Sequence, residues 1–506
     1  MQKGAPLNIP LTVDLHIESF SGGTITQIES GATNVVYGQY GDGRWYATQR
    51  PGVNQFEDAS VTVSDARGRS CYYWDAVSDK YIVNAGKVYK GSYSGTSMNI
   101  TTGTQRIFMG EVGNYLVILD HENNEGWTIN SSSSTTITQI NDSDFTALTL
   151  ARGGCVLNGK IYVLAKNADI VESDIEDPTS WNPLNVRNAE VEPDNGVYIG
   201  KHHEHVVVIG TRSTEFFQDT GNPTASTLTA RTDIHYSIGM VDADACWQVG
   251  DNLYFVGQDR SGAIGVYVLD NFDMRKISKE SLDTFLTTAV TRDNVGITLC
   301  GMMSGGRSFL TLTLHNTITD LIPTQTIVFS SLRGWWGFWD VELPDVDYFP
   351  LVAWAPANST RAGEGILING DLVTMLDDFN PVDSVSASSV FESGVFESGV
   401  FTATSASGTS IPVEVVTGVI DGGTSRRKFQ GDLWLIHTPT DVSEDITIST
   451  ADEQNTSYEE AGVIDISDSE ARLNRMGAFR RRNFKLTGSP TKQLRAEKIQ
   501  TTLRVR

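Results

Sequence analysis

A 46-residue step organises the middle of the chain. Gly113, Gly159, His205 and Asp251 stand 46 residues apart, and each opens a short apolar run. The runs read NYLVILD (114–120), GKIYVLA (159–165), HVVVIG (205–210) and DNLYFVGQD (251–259). Arg307 and Gly363 follow at 56-residue steps, opening RSFLTLTL and GEGILING. Period-two alternation puts successive side chains on opposite faces of a strand, and helical periodicity hardly occurs. Gly, Asn and Asp stand between the runs, where the chain must turn back. A repeat of about 40–50 residues with several strands in each is the pattern of propeller blades. The expected fold is all-β, a β-propeller of about six blades followed by a second β-rich C-terminal region. A series of β-sandwiches is the alternative.

The composition shifts near Asn380. Residues 380–410 are Ser-rich, lack Lys and Arg, and hold a direct repeat, FESGV at 391–395 and again at 396–400. This divides the chain into an N-terminal arm (1–43), a propeller (44–380), a linker or β-arm (381–410) and a C-terminal β-region (411–506). One helix is expected in SKESLDTFLTTAV (278–290), capped by Ser278, with Leu282, Phe285 and Leu286 on one face. The four cysteines, Cys71, Cys155, Cys246 and Cys300, lie far apart and form no C-x-x-C pair. They read as buried thiols made in a reducing cytoplasm. The first twenty residues lack the apolar core of a signal peptide. No apolar run approaches the roughly 18 residues that a spanning helix needs, so no stable membrane insertion is expected.

Several motifs hint at chemistry, and each has a plainer structural reading. GCVLNGKI (154–161) nearly spells a phosphate-binding loop, but Ile161 stands where a hydroxyl should hold Mg²⁺ and a strand follows instead of a helix. Its Asn-Gly pair suits a hairpin turn. His203 and His205 share a strand face, yet two imidazoles fall short of a metal site. RGWWGFWD (333–340) could stack sugars, or be a turn that fills a blade core. ESDIEDPTSW (172–181) is close to the aspartate-box turn of sialidase-like propellers, with its aspartate one place early. No serine-nucleophile elbow, zinc-protease motif or Cys–His pair is present. No catalytic residue, cofactor or metal is assigned.

Charge is sorted along the chain. Residues 471–506 hold eleven Lys or Arg and a single acid, Glu497, in a chain of net charge −24. The tail is therefore +10 and residues 1–470 carry −34. An acidic body disfavours nonspecific DNA binding, while a segregated basic strip reports a partner. The candidate interface residues are Arg475, Arg480, Arg481, Arg482 and Lys485. If the strip is one strand, Arg480 and Arg482 face one way and Arg481 the other.

Several stretches together resemble the packaged-DNA stabilisation protein, or tail nozzle, of short-tailed bacteriophages. They are RWYATQRPGVNQF (44–56), the acidic turn with AEVEPDNG (189–196), the strand closing on Thr214–Phe217, SIGMVDADACWQVGDNLYFVGQD (237–259), GVYVLDNFDMRKIS (265–278) and the closing segment 475–505. The likeness spans most of 44–380 and about 30 C-terminal residues; 381–470 does not match. It implies a non-enzymatic virion tail protein, a propeller subunit of a hexameric tube. The implied neighbours are the adaptor ring above, a tail needle or plug, and tail fibres or spikes. Packaged DNA would be held back, and then pass through the channel without sequence-specific binding. The rival readings are a free propeller scaffold, which would be a stable monomer, and a tail-spike-like glycosidase, which would need paired carboxylates in an aromatic groove.

Overall fold

The computed structural model describes residues 5–505 except 60–65, 190, 223–225, 305, 317–321, 342, 344–347, 356–362, 376–381, 386–408, 422–425 and 453–456. The FESGV repeat lies outside the described residues.

Six consecutive runs of chain, 68–99, 108–139, 155–188, 196–236, 238–276 and 296–338, each form a set of antiparallel strands; Arg152–Gly153 adds a short parallel strand to the fourth, and the sixth continues into a larger sheet. These are blades one to six. The residues at the 46- and 56-residue steps all fall at the start of a second strand: Tyr115–Asp120, Lys160–Leu164, His205–Gly210, Asn252–Asp259, Arg307–His315 and Glu364–Leu367. The turn chemistry is visible at Asn158 and Gly159, whose φ angles of 51° and 75° make the hairpin that a phosphate-loop reading would forbid. First strands of successive blades pack beside one another around a central axis. The propeller expected from the repeat is thus formed, and a further, composite sheet completes its ring.

That composite sheet joins both ends of the propeller. Leu351–Ala355, Glu364–Leu367 and Leu372–Met375 supply three strands, and the fourth comes from the N-terminal side. The N-terminal strands are β1 (Ala5–Pro10), β2 (His16–Ser21), β3 (Thr24–Thr33), β4 (Val35–Gln39), β5 (Trp45–Gln49) and β6 (Val53–Glu57). β6 pairs antiparallel with Leu372–Met375 and closes the circle, while Leu351–Ala355 packs beside both blade six and blade one. Without β6 that outer strand would present an unpaired edge.

β1–β5 belong to a second, sandwich-like body built with the C-terminal strands, which corrects their reading as a separate arm ending at residue 43. One sheet runs β4, β5, Arg495–Val505, Lys428–Thr438 and Arg472–Leu473, with β1 also on Arg495–Val505. The other runs β2, β3, Val413–Val416, Arg482–Gly488, Asp445–Asp452 and Glu459–Asp465. Their inner faces meet in Val35, Tyr37, Ala47, Val413, Val415, Leu433, Leu435, Ile446, Ile448, Phe484, Leu486 and Ile499. Apolar burial drives the pairing, since each such side chain contributes about 1.5–3 kcal/mol when removed from water.

The two bodies share a sheet. The last strand of blade six, Gly334–Phe338, runs parallel to the end of β3, with Ala32 opposite Gly337 and Thr33 opposite Phe338. This is where RGWWGFWD lies, and it forms a strand with all three tryptophans buried. Trp335 faces the propeller core, and Trp336 and Trp339 face the sandwich. The indole N–H groups of Trp336 and Trp339 both donate to the Val35 carbonyl, at 2.9 and 3.3 Å. Arg50, fully buried, seals the same joint by donating to the Asn34 side chain and to the carbonyls of Pro51 and Asp340.

The expected helix forms over Glu280–Thr291 between blades five and six. Leu282, Phe285, Leu286 and Ala289 are buried, and the Phe285 ring meets Phe20 of β2 edge-on at 5.3 Å. Ser278 is not its cap; Lys279 holds that position without a side-chain bond. The Ser278 hydroxyl instead accepts from the Val266 N–H at 2.9 Å and bonds Asp283.

Candidate functional site

The basic strip does not form one continuous strand. Ala478–Phe479 pairs with the Lys428–Thr438 strand, the chain bends at Arg480 and Arg481, and a new strand starts at Arg482. Arg475, Arg480 and Arg481 are exposed, with Arg475 in a left-handed turn at φ 59°. Arg482 is buried, which corrects its reading as an interface residue. It shares the inward face with Phe484 and Leu486, and its guanidinium must therefore be satisfied inside the chain. Nε and Nη2 donate to the two carboxylate oxygens of Asp452 at 2.6 and 2.7 Å. Nη1 donates to Gln430 at 2.9 Å and to the Met476 carbonyl at 2.5 Å. The Phe479 ring lies 4.5 Å from the guanidinium carbon. Lys485 is half-buried and paired with Glu414 on the neighbouring strand at 2.5 Å.

The other motifs resolve as structure. His203 takes a left-handed turn, φ 51°, between His202 and His205, and all three imidazoles pack around Phe272 at 4.9–5.7 Å. Burial lowers the pKa of His202 to about 4 and also lowers that of His205, so both stay neutral near pH 7. Among the described residues no group of three or more His, Cys, Asp or Glu is placed to hold a metal ion. In the aspartate-box-like turn Ser180 donates to Asp174 at 2.7 Å, and buried Trp181 packs on Phe145 at 4.9 Å. Burial raises the thiols of Cys71, Cys155 and Cys246 to about 12, and that of Cys300 further still, which leaves them unreactive.

The axis of the propeller holds a polar constellation that was not singled out from the sequence. Arg106 sits just before the first strand of blade two. Its Nη1 donates to the Cys246 carbonyl at 3.1 Å in blade five, and Nη2 to the Leu299 carbonyl at 2.7 Å in blade six. Its guanidinium carbon lies 5.0 Å from the Trp247 ring. Arg152 pairs with Asp244 and donates to the Arg106 carbonyl and the Gln105 side chain, both at 2.8 Å. The two arginines thus tie non-adjacent blades across the axis.

Two cavities flank this bridge, and both touch Arg152 and Ala243. One, of about 500 Å³, is lined by Cys71, Tyr72, Glu111, Tyr198, Trp247 and Trp354 among others. The other, of about 480 Å³, lies toward the starts of the same inner strands, by His121, Lys166 and Asn195. Burial, with Arg152 nearby, pushes His121 down to about 3. Burial, with Asp244 nearby, pushes the Asp242 carboxyl up to about 6. A signal for this site was in the sequence: Arg106, Arg152, Tyr198 and Asp244 obey the same 46-residue step, seven places ahead of the turn residues.

The family described as Bacteriophage P22 Gp10, beta-propeller, matches residues 33–329, more than half of the chain. The chain belongs to this family. It is a phage DNA-stabilisation tail protein, a structural protein built on a β-propeller with a further β-rich C-terminal region. The match runs from the end of β3 to the third strand of blade six. No curated protein sequence matches the chain. Among solved structures it is similar to a chain of a mitotic checkpoint complex, at 7% identity and TM-score 0.35 over 65% of this chain and 95% of that one. It is also similar to PorZ of Porphyromonas gingivalis, at 11% identity and TM-score 0.36, over 82% and 52% of the two chains. BamB of Moraxella catarrhalis follows at 10% identity and TM-score 0.30, over 74% and 97%. Likenesses this distant carry no argument about function. No helix among the described residues is long and apolar enough to cross a membrane.

Proposed function

We propose that the chain is a subunit of the tail nozzle, a ring of six copies that extends the portal–adaptor channel, retains packaged DNA and conducts it during ejection. The observation that carries this reading is the bridged propeller axis. Arg106 and Arg152 span it from blade two and its junction with blade three to blades five and six. A duplex is about 20 Å wide, whereas the axial cavities hold about 500 and 480 Å³ on either side of that bridge. A conduit for DNA must then lie between subunits, and a ring supplies one. The net charge of −24 supports the same role, because a wall that repels a polyanion lets it slide.

In this reading the adaptor ring lies above, a needle or plug closes the channel, and fibres or spikes attach outside. Exposed Arg475, Arg480 and Arg481 contact acidic protein, while Arg482 and Lys485 hold the strand that presents them. The test is to image the purified chain mixed with its purified adaptor ring. Six copies seated on the end of the adaptor are expected. A chain that remains monomeric and unattached at micromolar concentration would favour the scaffold reading instead.

A further inference from the structure

Register gathers arginines from three distant segments onto one end of the sandwich. The buried Lys428 is the organiser. Its ammonium donates to the Arg426 carbonyl at 3.0 Å and to the Arg480 carbonyl at 2.6 Å, so those two residues are held side by side. Phe429, next in the strand, points the opposite way and is 41% exposed. Arg504 is its cross-strand partner and lies on the same outward face. Arg426, Arg427, Arg480, Arg481 and Arg504 are all exposed, and the pairing of Lys428 and Phe429 with Phe479 and Ala478 on one side and with Val505 and Arg504 on the other brings their segments together beside Phe429. Behind them, Arg482 stacked on Phe479 fixes the bend that presents Arg480 and Arg481.

We propose that this Phe429 face docks on an acidic surface of a neighbouring copy of the chain. An exposed aromatic ring with arginines on its own and adjoining strand segments is the composition of a protein interface centre. Guanidinium groups pair bidentately with carboxylates, and the ring excludes water from those pairs. The complementary charge is present in the same molecule, since residues 1–470 carry −34. DNA fits the face less well: an exposed phenylalanine offers nothing to a phosphate, and the acidic body repels a duplex. A basic face on an acidic face is a head-to-tail contact, the kind that closes rings. The inference rests on the nozzle reading and adds the residues of its subunit seam.

The experiment uses phage particles carrying Arg427→Lys and Arg481→Lys. Both variants keep the charge at exposed positions, so folding is preserved. A carbodiimide couples a lysine amine to a carboxylate in direct contact, forming an amide with loss of water to the reagent; arginine does not couple. Particles are assembled from a mixture of isotope-labelled and unlabelled chains. The expected product is a new link from residue 427 or 481 to an Asp or Glu of this chain, with labelled and unlabelled peptides joined. Links to a different virion protein, links only within one copy, or no new link would each overturn the proposal. If wild-type chain is absent from particles altogether, the nozzle reading fails instead, and the two failures are told apart.

Discussion

Gly337 and Ala32 lie so close across the shared sheet that a methyl group on Gly337 would sit 1.6 Å from the Ala32 carbonyl oxygen. No rotamer change relieves a clash with backbone. Gly337→Ala must force the parallel pair apart and disturb the buried tryptophans beside it. The expected cost exceeds about 3 kcal/mol. Gly418→Ala, with open space around its position, should stay within about 0.5 kcal/mol. Urea unfolding of both variants checks the contrast, and equal midpoints would show that the joint tolerates separation.

Arg482 and Arg481 are neighbours with opposite expected behaviour. Arg482→Ala strands Asp452, whose side chain is 38% exposed, and leaves Gln430 and the Met476 carbonyl without their donor. Partial exposure of Asp452 softens the loss to about 2–3 kcal/mol. Arg481→Ala should shift stability by less than about 0.5 kcal/mol. Thermal unfolding of the two purified variants reads the difference directly.

Asp242 gives stability a pH dependence of known sign. Its folded-state pKa is raised to about 6 by burial and by Asp244, so the folded chain binds this proton more tightly than the unfolded one. The contribution is full below the unfolded value near 3.8 and is lost as pH rises through about 6. Asp242→Asn keeps an oxygen to accept the Asp244 N–H, now at 2.9 Å, and removes the charge. It should stabilise the chain at pH 7.5 by on the order of 2 kcal/mol and change little at pH 4. A variant no more stable at pH 7.5 would show that Asp242 is ionised at no cost.

Charge at the exposed arginines should matter to assembly and not to folding. Arg475→Glu, Arg480→Glu and Arg481→Glu together leave the Arg482–Asp452 pair intact. The expected product is a folded chain that fails to enter tails, giving particles whose genome becomes sensitive to nuclease. Normal yields of infectious, DNA-retaining particles would remove these residues from any interface.

Free duplex should bind weakly at physiological salt, because the chain carries −24 overall. A gel shift of random DNA checks this. Submicromolar retention that disappears on changing Arg427 and Arg481 to Glu would make the basic face a phosphate contact.

The propeller was legible because each blade repeats the same local task, a turn followed by an apolar second strand. Gly113, Gly159, His205, Asp251, Arg307 and Gly363 therefore marked equivalent places. The sandwich was not legible in this way. β1 pairs with Arg495–Val505, and β6 closes the sheet of Leu372–Met375, across separations that leave no periodic trace. The interior role of Arg482 was hidden for a similar reason. Alternation did place it with Phe484, but its carboxylate partner lies 30 residues earlier and carries no motif. Arg106 and Arg152 were missed although their spacing is regular, because an arginine before a strand reads as solvated until the topology turns it toward an axis.

The placement of the N-terminal strands sets a timetable for synthesis. A ribosome releases β1 and β6 long before their partners exist. β6 waits for residues 372–375 before the propeller can close, and β1 waits for residues 498–503 before the sandwich can form. Until then the nascent chain holds open strand edges that invite mispairing, and it needs shelter from its own copies. Arg495–Val505, made long after these strands, also brings Arg504 beside Phe429. The sandwich and the basic face are thus completed in one late step, so unfinished copies lack the surface by which they would join an assembly.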